Sequence, residues 1–134
     1  MTTAVDSNVL IDVIGHANDF TRRAVAALGV SLQRGALIVC PVVVAETAAY
    51  FPSHQALHRA FDSMHLEMRE FGWHDLHRAG EAYVAYCRRS REPRKCMLAD
   101  FLVAAHAVIY ADVLLTRDRG YYRTYFSELR LLEA

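Results

Sequence analysis

Lysine is almost missing from this chain. Lys95 is the only one, so arginine carries nearly all of the fifteen basic charges, and fifteen acids cancel them to a net charge of zero. That balance excludes a polycation that holds nucleic acid by bulk charge; an anionic partner must meet a local patch. Cysteine is scarce too: Cys40, Cys87 and Cys96 are odd in number and form no C-x-x-C pair. This argues against a disulfide framework and a structural zinc site, and for a reducing, cytoplasmic compartment. No glycine-rich phosphate loop exists, and Ser7 lacks the G-x-S-x-G elbow, which argues against nucleotide-driven and acyl-transfer enzymes. The longest apolar stretches fall well short of the roughly 20 residues of a spanning helix. An acidic Asp6 stands where an export signal has a basic start and an apolar run. There is no internal repeat and no low-complexity segment.

What is present is 134 residues, 54% hydrophobic and 22% charged. That is enough for one domain over residues 1–134, burying roughly two-thirds of its surface without a staple. The apolar pattern alternates between strands and helices. Thr3–Asp6 and Ala36–Cys40 predict strands, as does Val113–Thr116, and Leu129–Leu132 is a candidate for the last one. Helices are expected to begin near Val9, after Asn18 or Asp19, at Pro41, after Ser53, at Asp75 and at Met97. On the second, Val25, Leu28 and Leu32 share one face; on the fifth, Leu76, Ala79, Tyr83 and Tyr86 do. His65–Phe71 fits either state. The alternation predicts an α/β layer fold with a mainly parallel sheet, whose ligands bind beyond the carboxyl ends of the strands.

Four acids sit where a solvated acid has no obvious reason to be. Asp6 ends the first strand and Asp118 follows the strand Val113–Thr116, so both project at the carboxyl edge of the sheet. Glu46 lies in an almost wholly apolar helix, and Asp100 inside another. A carboxylate in apolar surroundings is costly unless it is paired or binds a cation. Four of them together repel and raise one another's pKa. Oxygen ligands from carboxylates suit Mg²⁺ or Mn²⁺, which can activate water and stabilise charge building on a phosphodiester. Each acid also has a local reading: Asp6 and Asp100 as helix caps, Asp118 as a turn residue, Glu46 as an arginine partner.

The string Val5-Asp6-Ser7-Asn8-Val9-Leu10-Ile11-Asp12 resembles the opening of the PIN-domain nucleases. Ala45-Glu46 after Pro41-Val42-Val43-Val44 is similar to their second acidic motif, although Val43 and Val44 stand where a Ser or Thr is frequent. Leu98-Ala99-Asp100-Phe101-Leu102-Val103-Ala104-Ala105-His106-Ala107 resembles the third, and Leu114-Leu115-Thr116-Arg117-Asp118 the fourth. The four occur in order along essentially the whole chain, and the small size looks like the VapC-type toxins of toxin–antitoxin pairs. The resemblance implies a three-layer α/β/α PIN-like domain and a Mg²⁺-dependent endoribonuclease, with Mn²⁺ as a substitute. It implies catalytic acids Asp6, Glu46, Asp100 and Asp118, with Asp6, Asp100 and Asp118 holding the metal and Asn8 and Thr116 in support. It further implies a structured RNA substrate such as tRNA or rRNA, a small antitoxin partner and a homodimer.

Residues Arg88–Lys95 hold five basic side chains against Glu92, a local charge of +4. Arg88, Arg89, Arg91, Arg94, Lys95 and Arg117 are candidates for gripping RNA phosphates; a solvated loop is the alternative. The histidine pairs His54/His58 and His74/His77 lack an H-E-x-x-H or cysteine ligand set and read as surface or packing residues. Tyr121, Tyr122, Tyr125 and Phe126 could stack bases, but their spacing suits core or dimer contacts. Two rivals stand beside the nuclease. One is a catalytically silent PIN-like module binding RNA or protein. The other is an aspartyl-phosphate phosphatase, disfavoured because Asn8 replaces the second acid of D-x-D.

Overall fold

A computed structural model describes residues 1–89, 97–118 and 122–134. Five short strands form one sheet: β1 (Thr3–Val5), β2 (Leu37–Val39), β3 (Leu66–Met68), β4 (Val113–Thr116) and β5 (Leu131–Glu133). They lie in the order β3-β2-β1-β4-β5 and every pairing is parallel. Ala4 of β1 sits opposite Ile38 on one side and Leu114 on the other. The three central strands are buried along their whole length. That is why they read as unbroken apolar runs rather than alternating ones.

The helices are α1 (Ser7–Ile14), α2 (Thr21–Arg34), α3 (Pro41–Ala48), α4 (His54–Ser63), α5 (Trp73–Arg89), α6 (Leu98–Tyr110) and α7 (Tyr122–Tyr125). Helices and sheet form the expected three-layer α/β/α fold. From β1 the chain steps outward through β2 to β3, then crosses to the other side for β4 and β5. The direction of winding therefore reverses between β1 and β4, and the crevice beyond their carboxyl ends is where such sheets bind ligands. Asp6 directly follows β1, and Thr116 ends β4.

Local chemistry sets most helix starts. Pro41 occupies the first turn of α3, where its missing N–H costs nothing. Ser53 Oγ accepts the Ala56 N–H at 3.1 Å and caps α4. The expected start of α5 is Asp75, but the helix begins two residues earlier. Asp75 accepts the Gly72 N–H at 2.7 Å from within the first turn. Asn18 likewise does not cap α2; it closes a turn before it, accepting the Phe20 N–H at 2.7 Å. His65–Phe71 resolves as the edge strand β3, of which only Leu66 is buried. His65 enters it with φ +58°, the left-handed region.

The apolar stripe of α2 is half open: Val25 is 52% and Leu32 38% exposed, Leu28 packs against the core, and Ala24 and Ser31 are buried. Small side chains at that contact let α2 lie close against its neighbours. The stripe lines an open groove of about 200 Å³ with Val13, Leu37, Met64 and Leu66.

The α5–α6 hairpin packs most extensively. Its centre is Phe101, fully buried, with ring centroids of Tyr83 and Tyr86 at 5.5 Å, Tyr125 at 5.8 Å and Phe126 at 6.1 Å. Truncating such a ring costs roughly 3–5 kcal/mol, so the residue beside it, Asp100, sits on a rigid base. Among the described residues, no helix is long and apolar enough to cross a membrane.

Candidate active site

Asp6 forms the floor of the crevice, 6% exposed. Its Oδ1 accepts the Ser7 N–H at 2.7 Å, the N-cap of α1. Its Oδ2 accepts two hydroxyls: Thr116 Oγ1 at 2.8 Å and Tyr122 OH at 3.0 Å. Burial nonetheless outweighs these bonds and raises its pKa, with the charge of Asp100 adding to the rise.

The other three acids rim this floor. Asp100, half-buried, accepts the Met97 N–H at 3.1 Å in the first turn of α6. Burial and the Asp118 charge raise its pKa. Glu46 projects from the exposed side of α3. Desolvation raises its pKa, a hydrogen bond from Ser7 opposes the rise, and Asp6 and Asp100 reinforce it. Asp118 is exposed, and its N–H donates to Thr116 Oγ1 at 3.1 Å. Asp6, Glu46, Asp100 and Asp118 are thus linked by mutual repulsion into one electrostatic unit. The nearby Cys40 thiol feels both Asp6 and Glu46; burial pushes its pKa to about 11. It stays protonated and is no nucleophile.

Thr116 is the hub. Besides bonding Asp6 and Asp118, it accepts Asn8 Nδ2 at 3.2 Å, and Asn8 Oδ1 accepts the Arg117 N–H at 3.2 Å. Asn8 and Thr116 are thus joined by hydrogen bonds to each other and, through Thr116, to Asp6 and Asp118. Asp6 and Asp100 also lie at helix N-termini, where the macrodipole favours negative charge.

The donor set is all carboxylate, suited in kind to a hard divalent cation. The cluster is open: among the described residues, no three His, Cys, Asp or Glu side chains are gathered closely enough to enclose an ion. What fits a cation is the charge. Three carboxyls are held above their usual range by burial and by one another, and a divalent ion relieves both.

A family model described as "PIN domain" matches residues 3–127. The chain belongs to the PIN domain family. A search of curated proteins found no match. Solved structures similar to this PIN domain include VapBC2 from Rickettsia felis bound to a DNA fragment from their promoter, with TM-score 0.72, 17% identity, and coverage of 99% of this chain and 98% of that one. VapBC-1 from nontypeable Haemophilus influenzae follows at TM-score 0.68 and 17% identity, covering 99% and 98%. FitAcB from Neisseria gonorrhoeae gives TM-score 0.66 and 17% identity, covering 97% and 96%. At such identities these likenesses speak to the fold.

Not every candidate converges on the crevice. Arg117 points at α1: its Nε lies 3.0 Å from Asp12 Oδ2 and its Nη2 3.3 Å from Oδ1, with the guanidinium 4.0 Å from the centre of the Phe20 ring. Asp12 is 3% exposed and also accepts Asn18 Nδ2 at 3.2 Å. Arg88 and Arg89 are exposed in the last turn of α5, where cations complement the helix dipole. Arg91, Arg94 and Lys95 lie outside the described residues.

Two site contacts were not legible beforehand. The Ser7 hydroxyl, considered only as a nucleophile, lies 3.5 Å from Asp6 Oδ1. Tyr122, read as packing, is 2% exposed and bonds Asp6. Only the tyrosine's short distance in sequence from Asp118 hinted at the second.

Proposed function

We propose that this PIN domain is a divalent-metal-dependent endoribonuclease and the toxin of a toxin–antitoxin pair. The observation that carries the reading is the coupling of Asp6, Glu46, Asp100 and Asp118 at the switch point of the sheet, with the carboxyl pKa values of Asp6, Glu46 and Asp100 raised. Asp6, Asp100 and Asp118 would hold Mg²⁺ or Mn²⁺. Such an ion supplies an acidified water and neutralises charge on the phosphodiester. Asp6 contributes a carboxylate fixed in direction by Ser7, Thr116 and Tyr122. Glu46, exposed and with its proton affinity raised by desolvation and the neighbouring acids, would take a proton from the attacking water. The crevice lies at the sheet's carboxyl edge, where an extended single strand can reach the exposed Glu46 and Asp118.

Structured RNA such as tRNA or rRNA remains the proposed substrate class, and Arg88 with the segment that follows it the proposed phosphate contact. The antitoxin partner is supported by the VapBC and FitAcB neighbours, and the homodimer by the outward apolar residues of α2 and α5: Val25, Val30, Leu32, Leu76 and Val84. The alternative is a silent binding module.

The test is cleavage of total RNA with Mg²⁺, with chelator, and by Asp6→Ala and Asp100→Ala. Discrete fragments that vanish with chelator, and fall ten-fold or more in both variants, are expected. Folded protein that cuts no RNA under any condition favours the silent module. Equal cleavage by wild type and both variants refutes the acidic site.

A further inference from the structure

We propose that Tyr122 is a positioning residue for the acidic site, holding Asp6 so that it offers a single lone pair to a metal. This rests on the reading of the site as a metal nuclease. The argument begins with the capacity of one carboxylate. Asp6 has roughly four acceptor positions. Oδ2 receives Thr116 and Tyr122, and Oδ1 receives the Ser7 N–H. The Ser7 hydroxyl lies 3.5 Å from Oδ1, the long limit of a hydrogen bond, so the lone pair it faces is only weakly held and is open to a metal. The remaining lone pair belongs to Oδ1. Asp6 is therefore restricted to one-point ligation through that oxygen, and two hydroxyls fix the plane of the carboxylate.

The same bond has a second consequence. Thr116 and Tyr122 grip one oxygen from either side of Asp118, and Thr116 also accepts the Asp118 N–H at 3.1 Å. Thr116 thus ties the backbone of Asp118 to Asp6 Oδ2, which sets where Asp118 stands relative to Asp6. The Tyr122 ring is 2% exposed and its neighbour in the core, Phe126, is fully buried. Packing alone accounts for the ring; a buried hydroxyl needs a partner, and the partner here is the acid at the site's floor.

The test compares Mn²⁺ binding, followed by calorimetry and by loss of the free-ion paramagnetic resonance signal, in wild type, Tyr122→Phe, Tyr125→Phe and Asp6→Ala. Tyr122→Phe keeps the ring and removes only the hydroxyl. Its affinity is expected to fall about ten-fold, in the range for partners that orient metal ligands. Tyr125→Phe, in the same short helix, should match wild type. Unchanged affinity in Tyr122→Phe, with binding lost in Asp6→Ala, overturns the role of Tyr122 and leaves the site standing. Wild type that binds no Mn²⁺ overturns the site and the proposal together. A second measurement needs no variant: in wild type, the Tyr122 hydroxyl proton should exchange slowly and shift when Mg²⁺ is added. A fast-exchanging hydroxyl, blind to Mg²⁺, also refutes the idea.

Discussion

Removing Arg117 tests whether it clamps the fold or grips substrate. Asp12 is buried with its carboxylate against the guanidinium, and the guanidinium in turn covers Phe20. Arg117→Ala leaves that carboxylate, among the described residues, with Asn18 Nδ2 as its side-chain donor. Breaking a fully buried pair costs roughly 3–5 kcal/mol. The Arg117 side chain is 37% exposed, so water reaches one side, and about 2–3 kcal/mol is expected after that discount. An unfolding entropy of about 2.1 cal/mol/K per residue makes each kcal/mol worth roughly 3–4 °C in this 134-residue chain. Calorimetry should therefore record a Tm lower by about 7–10 °C. Asp12→Asn combined with Arg117→Met should lose less than the two single changes summed, because the stranded charge is gone. A coupling of about 1–2 kcal/mol is expected for directly contacting groups. A Tm drop below about 3 °C with negligible coupling, together with weakened RNA binding, would refute the clamp and restore Arg117 as a phosphate contact.

Further outcomes follow from the same geometry. Ser53→Ala removes the α4 cap; about 1 kcal/mol should appear as a Tm lower by roughly 3–4 °C, with RNA cleavage unchanged. Phe101→Ala should cost roughly 3–5 kcal/mol and also reduce cleavage, since the ring anchors the turn that carries Asp100; the two losses are read by denaturant titration and by rate. The pH dependence has a definite sign. Asp6, Glu46 and Asp100 have folded pKa values above their unfolded ones. Ionising them opposes folding, so their penalty is absent at low pH, grows as pH climbs from the ordinary carboxyl range near 4, and is complete above the folded values. Added Mg²⁺ should consequently raise Tm more at pH 7.5 than at pH 5, and a uniform shift at both would contradict the coupling.

The central sheet was legible because β1, β2 and β4 are buried on both faces, and their sequences carry that burial without ambiguity. Edge strands are another matter. β3 buries only Leu66, so its sequence keeps too little pattern to separate strand from helix. The α2 stripe shows the limit of periodicity: Val25, Leu28 and Leu32 do share a face, but a 3.6-residue repeat cannot say whether that face meets the core or an open groove. The acids were found because each violated its surroundings. Tyr122 was missed because a tyrosine in an aromatic-rich segment violates nothing; its role depends on a hydrogen bond spanning 116 residues, which no local pattern encodes.

The local and the catalytic readings of the acids are compatible, and the geometry explains why. Asp6 caps α1 and Asp100 closes the first turn of α6, so each is useful to its helix whether or not a metal is bound. Capping requires an acceptor oxygen; the proposed chemistry requires the negative charge as well. Substitution by asparagine separates the two. Asp100→Asn keeps an oxygen for the Met97 N–H while deleting a charge that repels Asp6 and Glu46. The metal-free protein should become more heat-stable at neutral pH while cleavage and Mn²⁺ uptake fall at least ten-fold. Opposite movement of stability and activity at one position is the mark of a residue held against its electrostatic preference. A variant that loses both, or neither, would show that Asp100 serves only its helix.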